Sequence, residues 1–583
     1  MANERMIPAE GSKSLASFTL FSDGKEVTKA YHVLSVTVNK EVNRIASATI
    51  ILLDGEASEQ SFKVSNQPDF EPGREIEIKA GYSNQEETIF RGIVVKHGIK
   101  VRRKNSVLMV ECRDKAVKMT GALKSAYYKD TKDSEVMESI IGKYGIEAKV
   151  KATSYVHKQL VHYNSTDWDF LICRADANGM LCFTDDNKIS ISKPDFSAKP
   201  ALTIQYGATV LDLDAEIDAR FQYKSIKGTS WDYTSQKLAD ELEADEAATP
   251  DAGNLDKDKL AGVMGEDHFM LATNAPFEDP EMQNWINSMM MRHQLAKIRG
   301  RVRTDGTAEV KPGSLIKLQG AGERFEGKLY VTGVRHEIEE GSWQTVFQFG
   351  INPEWFAETY RIQPPLAGGL LPAVQGLQIG VVTQLQDDPD GEDRIKVRVP
   401  VIDKADDGIW CRIASLDAGN ERGAFFRPEI GDEVVVGFIN NDPRHAVVLG
   451  MLNSSSKPAP LKASDDNHEK GFQTRSGIKM IFNDEKKSFT LETPGGNKFI
   501  INDDEGSIVL EDQNGNKITL NQDGITLKSA TALEMQAGND LKASADSGVE
   551  ISGNAQTKVT GQGGVELSSG GTTVIKGSTV QIN

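Results

Sequence analysis

The chain has 583 residues, of which 39% are hydrophobic, with a formal net charge of −18 and an isoelectric point near 5.1. This length and apolar content predict three or four domains with hydrophobic cores and exclude a disordered chain. The acidic balance argues against a general nucleic-acid binder, because no excess of Lys and Arg is present to neutralise phosphates.

The first third of the chain is predicted to be rich in β-structure. Apolar and polar residues alternate with period two over residues 14–112, and Gly and Asn or Asp turns separate the runs, which indicates a β-barrel or sandwich. One helix is predicted at about residues 134–144. A second is predicted from Thr166, where Asp169 completes an N-cap signature, and it leads into a strand at 180–184.

A second β-rich body follows a long irregular segment. Residues 238–280 are rich in Ala, Asp and Glu with little periodicity, so a surface excursion is predicted. A helix is predicted at 281–297, and His293 continues its apolar face. A core or interface histidine is favoured over a metal ligand, because no second ligand lies four residues away. Strands are then predicted at 314–318, 328–337 and 343–349.

Pro364-Pro365 and Gly368-Gly369 mark a boundary before a small all-β module that extends to about residue 452. Its clearest alternating strands are residues 394–399 and 433–438. After a Ser- and Pro-containing segment, apolar residues recur at looser spacing and then at strict intervals of eight. The predicted domains are 1–365, with two barrel-like β domains and helical insertions, then 366–458 and 459–583.

The last part of the chain repeats every eight residues. Each octad carries two apolar positions two residues apart, which places both on one face of a short strand, and turn-forming residues separate the octads. The predicted core residues of this repeat are Ile525, Leu527, Leu533, Met535, Leu541, Val549, Ile551, Val559, Val565, Leu567 and Ile575.

One chain cannot enclose the apolar face of these octads. Burial of two side chains per octad contributes about 3–6 kcal/mol of stabilising free energy. Ordering the backbone of eight residues costs about 8–16 kcal/mol in conformational entropy. A strand of about five residues spans only ~17 Å, so three walls, one from each of three chains, close a triangular prism without free strand edges. We therefore expect an intertwined homotrimeric β-helix.

Other sequence features predict neither catalysis nor metal binding. Asp387 to Asp393 form an acidic run, but the ligand pattern of a calcium-binding EF-hand fails, and an acidic hairpin is the favoured interpretation. His157 and His162 lie near Asp167 in sequence, yet no nucleophile elbow, HExxH or phosphate loop accompanies them. No catalytic residue, metal ligand or cofactor is therefore predicted.

Cysteine usage and the amino-terminal sequence predict where the chain is made. The cysteines are isolated, which fits free buried thiols in a reducing compartment. Residues 1–20 show no charged leader followed by an apolar stretch, and no run of eighteen apolar residues occurs. We expect synthesis in the cytoplasm without a signal peptide.

Six sequence motifs are distributed along the chain. They are residues 90–94 (FRGIV), 167–171 (DWDFL), 311–314 (KPGS), 327–336 (GKLYVTGVRH), 394–400 (RIKVRVP) and 428–438 (PEIGDEVVVGF). These motifs resemble those of VgrG-type spike proteins of contractile injection systems, which are related to phage hub and spike proteins. The similarity covers nearly the whole chain and is strongest in the small module, which resembles the OB-fold of that family.

The resemblance implies a non-enzymatic spike and hub of a contractile injection apparatus. It implies a trimeric needle that docks on tail tube and baseplate proteins, carries effector cargo, contacts a target membrane transiently and is expelled with the particle. It also implies a PAAR-type tip protein bound at the end of the repeat. The residues predicted for that contact are Thr579, Val580, Gln581, Ile582 and Asn583.

A β-helical fibre that binds or degrades glycans is the alternative function. It requires aromatic platforms on the repeat, yet no Phe, Tyr or Trp follows Phe499. The sequence does not distinguish a type VI secretion spike from an extracellular injection particle or a prophage tail.

Overall fold

The computed structural model describes residues 15–83, 85–103, 105–246 and 248–582. The chain divides into two compact units. The first extends to Gln375 and includes Asn440–Pro443, and the second comprises Gly376–Ile439 and the chain from Arg444 onward. Among the described residues, no helix combines the length and apolar character needed to cross a membrane.

The first unit combines many strands with a few helices. Its strands are β1 Ala16–Ser22, β2 Lys25–Glu26, β3 Val33–Glu41, β4 Ser47–Leu53, β5 Glu75–Tyr82, β6 Gln85–Val101, β7 Ser106–Arg113, β8 Leu123–Lys132, β9 Glu147–Val150, β10 Val156–Thr166, β11 Leu181–Asp185, β12 Lys188–Ser192, β13 Leu202–Gln205, β14 Asp212–Ile217, β15 Ser225–Asp232, β16 Lys237–Leu238, β17 Leu242–Glu243, β18 His268–Thr273, β19 Ile298–Asp305, β20 Leu315–Gln319, β21 Gly327–Glu339 and β22 Ser342–Phe349. Its helices are α1 Asp133–Gly142, α2 Asp167–Ala177, α3 Lys257–Met264, α4 Asp279–Leu295 and α5 Phe356–Thr359.

Thirteen of these strands form one continuous sheet. The sheet runs through β14, β19, β22, β21, β3, β4, β7, β6, β5, β1 and β2, with β20 and β13 attached beside β21. Antiparallel pairing of β21 with β3, from Gly333 opposite Glu41 to Glu339 opposite Ser35, joins the early and late strands. Within the described residues the first unit contains no closed barrel, so the two-barrel layout is not confirmed.

Two hydrophobic cores lie along this sheet and follow the alternation of the sequence. In β4, Ala48, Ile50 and Leu52 are buried while the residues between them are partly exposed. These three belong to the core of the early strands, and a second core forms around Phe347 and Phe349 of β22. Period-two patterning therefore places one face of each strand against a core.

The two predicted helices form where the sequence indicates. In α2 the hydroxyl of Thr166 accepts a hydrogen bond from the backbone N–H of Asp169 at 3.0 Å. This bond caps one of the N–H groups in the first turn, which have no partner within the helix. In α1 the carboxylate of Glu135 accepts from the backbone N–H of Lys132 at 3.1 Å. A third core joins these helices to β11 and β12.

The segment 238–280 is more ordered than the sequence predicts. It contains α3 and also β18, which pairs in parallel with β15. The Asp256 carboxylate caps α3 by accepting from the backbone N–H of Lys259 at 2.7 Å. The prediction of a long irregular excursion is wrong for these elements, because short segments held by tertiary pairing carry little periodicity.

The second unit begins with a closed five-stranded barrel. Its strands close in the order β23-β24-β25-β29-β28, and Val397, Val434 and Val436 lie in its core. Only β25 and β29 pair in parallel, which matches the OB-fold predicted for this module. The strands from this point are β23 Gln378–Gln384, β24 Ile395–Arg398, β25 Ile409–Ile413, β26 Ala418–Gly419, β27 Arg422–Gly423, β28 Glu433–Phe438 and β29 Ala446–Met451.

An antiparallel meander of seven strands follows the barrel. Each strand pairs with the next along the chain through short turns. Residues 529–582, all of which are described, contain no assigned strand, so the β-helix expected there is not confirmed in the single chain. The meander strands are β30 Glu469–Gln473, β31 Lys479–Asn483, β32 Ser488–Glu492, β33 Lys498–Asn502, β34 Ser507–Glu511, β35 Lys517–Asn521 and β36 Gly524–Lys528.

Candidate assembly surface

The meander carries two apolar rows on one face. Residues paired across neighbouring strands continue each row from β31 to β36, and the rows lie two residues apart in every strand, so both point the same way. We call this surface the apolar face. One row is Met480, Leu491, Phe499, Leu510, Ile518 and Leu527, and the other is Phe482, Phe489, Ile501, Ile508, Leu520 and Ile525.

The opposite face of the meander carries a charged row. Lys498 contacts Glu492 at 3.5 Å, and Lys517 contacts Glu511 at 3.3 Å, each across a strand pair. Opposite charges placed across strands contribute about 0.2–1 kcal/mol per pair. This row was not predicted, although Glu and Lys flank every second turn of the meander in the sequence. The row is Lys479, Glu492, Lys498, Glu511, Lys517 and Lys528.

The apolar face remains open to solvent in the single chain. Leu510 is 52% exposed and Phe482 is 45% exposed. A groove of about 600 Å³ runs along one row, lined by Leu491, Leu510 and Ile518 among others, and reaches Leu533 beyond β36. Contiguous exposed apolar surface of this kind marks an interaction site.

The octad residues predicted as a trimer core are exposed in the single chain. Ile525 and Leu527 lie in β36 and end the two rows of the apolar face. All eleven predicted core residues are between 51% and 79% exposed, so the chain alone does not bring them together in a core.

The predicted tip residues lie at the end of the described chain. Val580 is 49% exposed and Ile582 is 87% exposed, and Thr579 and Gln581 are exposed as well. Asn583 lies outside the described residues. The four described positions therefore present two apolar side chains without cover from the rest of this chain.

The acidic run in the barrel domain is internally satisfied. Asp388 accepts hydrogen bonds from the backbone N–H groups of Asp390, Glu392 and Arg394 at 3.2, 2.9 and 3.2 Å. The Arg394 guanidinium also binds this carboxylate, and that hydrogen bond is the main reason why the pKa of Asp388 lies well below its usual range. The carboxylate oxygens of Asp388 therefore accept hydrogen bonds from within the same loop, in agreement with an acidic hairpin.

His157 and His162 belong to two separate polar clusters. His157 Nε2 lies 2.9 Å from the Asp133 carboxylate, which Arg174 also binds at 2.6 Å. Burial opposes ionisation of Asp133, but the hydrogen bonds from His157 and Arg174 outweigh it and hold the pKa of Asp133 far below its ordinary value. His162 Nδ1 lies 3.7 Å from Asp167, and its ring stacks on Phe170.

His293 is a core residue on α4. Its ring lies among Phe221, Tyr223 and Phe269, and burial lowers its pKa to about 4. Nδ1 of His293 has no hydrogen-bond partner in the described part of the chain. Across the described ranges, no group of three His, Cys, Asp or Glu side chains is placed to hold a metal ion.

The four cysteines are free thiols. Cys112, Cys182 and Cys411 are buried, and Cys173 is partly buried. Burial raises the pKa of Cys112 and of Cys411 to about 12, so these thiols stay protonated and unreactive at neutral pH.

The chain is similar to several known proteins. Residues 378–452, which contain the closed barrel, match the family described as the type VI secretion system/phage-baseplate injector OB domain. The type VI secretion system spike proteins VgrG1b and VgrG1a of Pseudomonas aeruginosa are each 24% identical, over 34% and 35% of this chain. These alignments cover only 28% and 33% of the two relatives. The 43 kDa tail protein of prophage MuSo2 from Shewanella oneidensis is similar over 58% of this chain and 98% of its own, with a TM-score of 0.46 and 10% identity.

These comparisons confirm the resemblance to VgrG-type spike proteins and support a structural spike of a contractile injection system. Both Pseudomonas relatives are named as spike proteins. Residues 12–340, more than half of the chain, match the family described as the Alg8 N-terminal domain. The chain belongs to that family.

Proposed function

We propose that three copies of this chain form the spike and hub of a contractile injection apparatus. Residues 459–583 of the three chains wrap around one axis as an intertwined β-helix, with the octad core residues and the apolar face turned inward. The observation that carries this proposal is the solvent exposure of every predicted core residue in the single chain. Two further copies supply the missing walls.

The geometry favours a closed trimer over a pair of chains. Each strand in the meander has five residues and spans about 17 Å, which suits one wall of a narrow prism. Three walls enclose the apolar rows and leave the charged row outside. About a dozen layers spaced ~4.7 Å apart give the repeat a length of about 55 Å. Continuous ladders along that length make the needle stiff.

In this proposal the remaining domains attach the needle to the injection apparatus. Residues 1–365 of three chains form the hub, with two barrel-like domains in each, and dock on tail tube and baseplate proteins. Residues 366–458 form the OB-fold between hub and needle. Made in the cytoplasm, the assembly is built into an injection particle. Contraction expels it, with its effector cargo, through a target membrane. Similarity to spike proteins and the match of residues 378–452 to an injector OB domain support this part.

A PAAR-type tip protein caps the needle at Thr579 to Asn583. Val580 and Ile582 continue the inward alternation of the repeat and are exposed in the single chain. A cap covers this exposed apolar surface.

A charge placed in the octad core tests the trimer. In the Ile551→Asp variant, three like charges meet inside the prism, and burial of unpaired charges is strongly unfavourable. We expect the variant to sediment as a single chain or a loose oligomer, whereas the parent sediments as a trimer that resists SDS.

Ser552→Asp is the matched control. It adds the same charge one residue later, on the opposite face of the strand, and should leave the trimer intact. A parent protein that sediments as a lone, well-folded chain would falsify the trimer, as would an Ile551→Asp trimer that still resists SDS and heat.

A further inference from the structure

A small cavity in the first unit lies apart from the proposed assembly surface. It has a volume of about 220 Å³ and is lined by the first residue of α1, by β10 and the residue before it, by the end of α2, and by α4 with the segment before it. This is smaller than the ~300–1,000 Å³ of pockets that take larger organic ligands. The lining residues are Asp133, Tyr155, His157, Arg174, Ala177, Asn178, Phe277, Glu281, Asn284 and Trp285.

Aromatic rings form part of the cavity wall. Phe277 and Trp285 lie with their centroids 5.6 Å apart and their planes tilted by 52°. Tyr155 lies edge-on to His157 at 4.7 Å. The faces of aromatic rings carry partial negative charge and attract cations within about 6 Å of the ring centre.

The carboxylate of Glu281 completes this wall. It is partly buried, and within the described residues its side chain accepts no hydrogen bond and forms no ion pair. Burial raises the pKa of Glu281, and the nearby charge of Asp133 acts in the same direction, although His157 and Arg174 oppose it. Partial burial of a carboxylate that accepts no hydrogen bond from the protein is costly, and a cation bound beside it lowers that cost.

The one arginine in the wall is paired within the protein. Arg174 donates to Asp133 through Nε at 2.6 Å and through Nη2 at 3.0 Å, a bidentate ion pair. Glu281 is the carboxylate of the wall that lies outside this pair. After burial, the charges of Glu281 and Glu278 raise the pKa of Tyr155 in the aromatic wall.

We propose that this cavity binds a single organic cation, the ammonium or guanidinium group of a basic side chain or of a free amine. The cation lies against Tyr155, Phe277 and Trp285 and pairs with Glu281. The size of the cavity admits one such group. The site is independent of trimer assembly, so the failure of either proposal leaves the other standing.

Calorimetric titration of the full-length protein tests the site. The probes are N-acetylarginine amide and N-acetyllysine amide for a side chain, methylguanidinium for a free cation, and N-acetylcitrulline amide as the neutral isostere. We expect saturable binding of at least one cation and at least tenfold weaker binding of citrulline. Tighter binding of the amino-acid amides than of methylguanidinium assigns the site to a protein side chain, and equal binding assigns it to small cations.

Two variants locate the binding. Glu281→Gln keeps the shape of the side chain and removes its charge, and Trp285→Leu removes an aromatic face, so each should weaken binding at least tenfold. Glu138→Gln, at an exposed position of α1, should leave affinity within twofold of the parent. Circular dichroism confirms that each variant is folded. Absence of saturable cation binding overturns the proposal, as does equal affinity for citrulline or an unchanged affinity in folded Glu281→Gln.

Discussion

Burial of His293 gives the folded chain a pH dependence. Its pKa is about 4 when folded, below the ordinary value near 6.5. The unfolded chain therefore binds the proton first, and stability is lost as the pH falls from about 6.5 towards 4. The free energy of unfolding lost across this interval is about 3 kcal/mol.

Replacement of His293 tests this dependence. His293→Leu should make the melting temperature less sensitive to pH between 6.5 and 4, even though His336, whose pKa burial also lowers, still titrates in the same direction. Thermal melts across this interval measure the slope. His268→Leu, at an exposed histidine, should keep the slope of the parent, and a slope unchanged by His293→Leu would contradict the assignment.

Closure of the OB barrel depends on the absence of a side chain at Gly380. A Cβ atom there would lie 2.4 Å from Val397 Cγ1 and 3.0 Å from Val436 Cγ2. Gly380→Ala should lower the free energy of unfolding by about 1–3 kcal/mol through overpacking. Urea unfolding measures the loss. Gly450→Ala in β29 of the same barrel is the control, since a Cβ there meets nothing within 4 Å, and an equal loss in both variants would refute the argument.

The meander and the octads differ in their backbone hydrogen bonds. Strands β31 to β36 pair within the chain, whereas residues 529–582 form no ladder with it. In the Ile551→Asp variant we therefore expect slow amide hydrogen exchange in the meander and fast exchange in the octads. Hydrogen exchange with peptide resolution measures both. Protected octad amides in that variant would show that the octads fold without partner chains.

The sequence predicts those elements whose signals are local. Thr166 and Asp169 mark the start of α2, and the alternation of residues 433–438 reproduces β28 with its observed bounds, Glu433–Phe438. Pairing across long separations carries no such signal. Nothing near Ser35 or Glu41 indicates that β3 pairs with β21, and the parallel pairing of β18 with β15 is equally hidden. The wall of the cation cavity, drawn from separate segments, was missed for the same reason.

The candidate assembly site was partly visible in the sequence. The octad columns follow from their spacing alone, because side chains two residues apart share one face of a strand. The rows of the meander were not recognised in full, since their spacing varies with the length of each turn. The residues of each row are determined by which residues pair across neighbouring strands, for example Leu510 with Ile518. These pairs can be known only from the structure.

For the whole molecule, two truncations separate trimer formation from capping. A chain that ends at Ser578 keeps the octad core and should remain an SDS-resistant trimer, but it should no longer bind a PAAR-type protein from the same source. A chain that ends at Lys528 keeps the meander and should lose SDS resistance, because the octad columns are gone. Gel mobility and co-purification measure these outcomes. Tip binding by the chain ending at Ser578 would place the contact elsewhere.

The pairing of β3 with β21 also constrains how the chain can be made. Strand β3 ends at Glu41, and its partner β21 begins only at Gly327. Until the ribosome has delivered that later segment, the outer hydrogen-bonding groups of β3 have no neighbour, and such uncovered edges invite association between nascent polypeptides. We therefore expect fragments cut before residue 339 to aggregate more readily than the full chain.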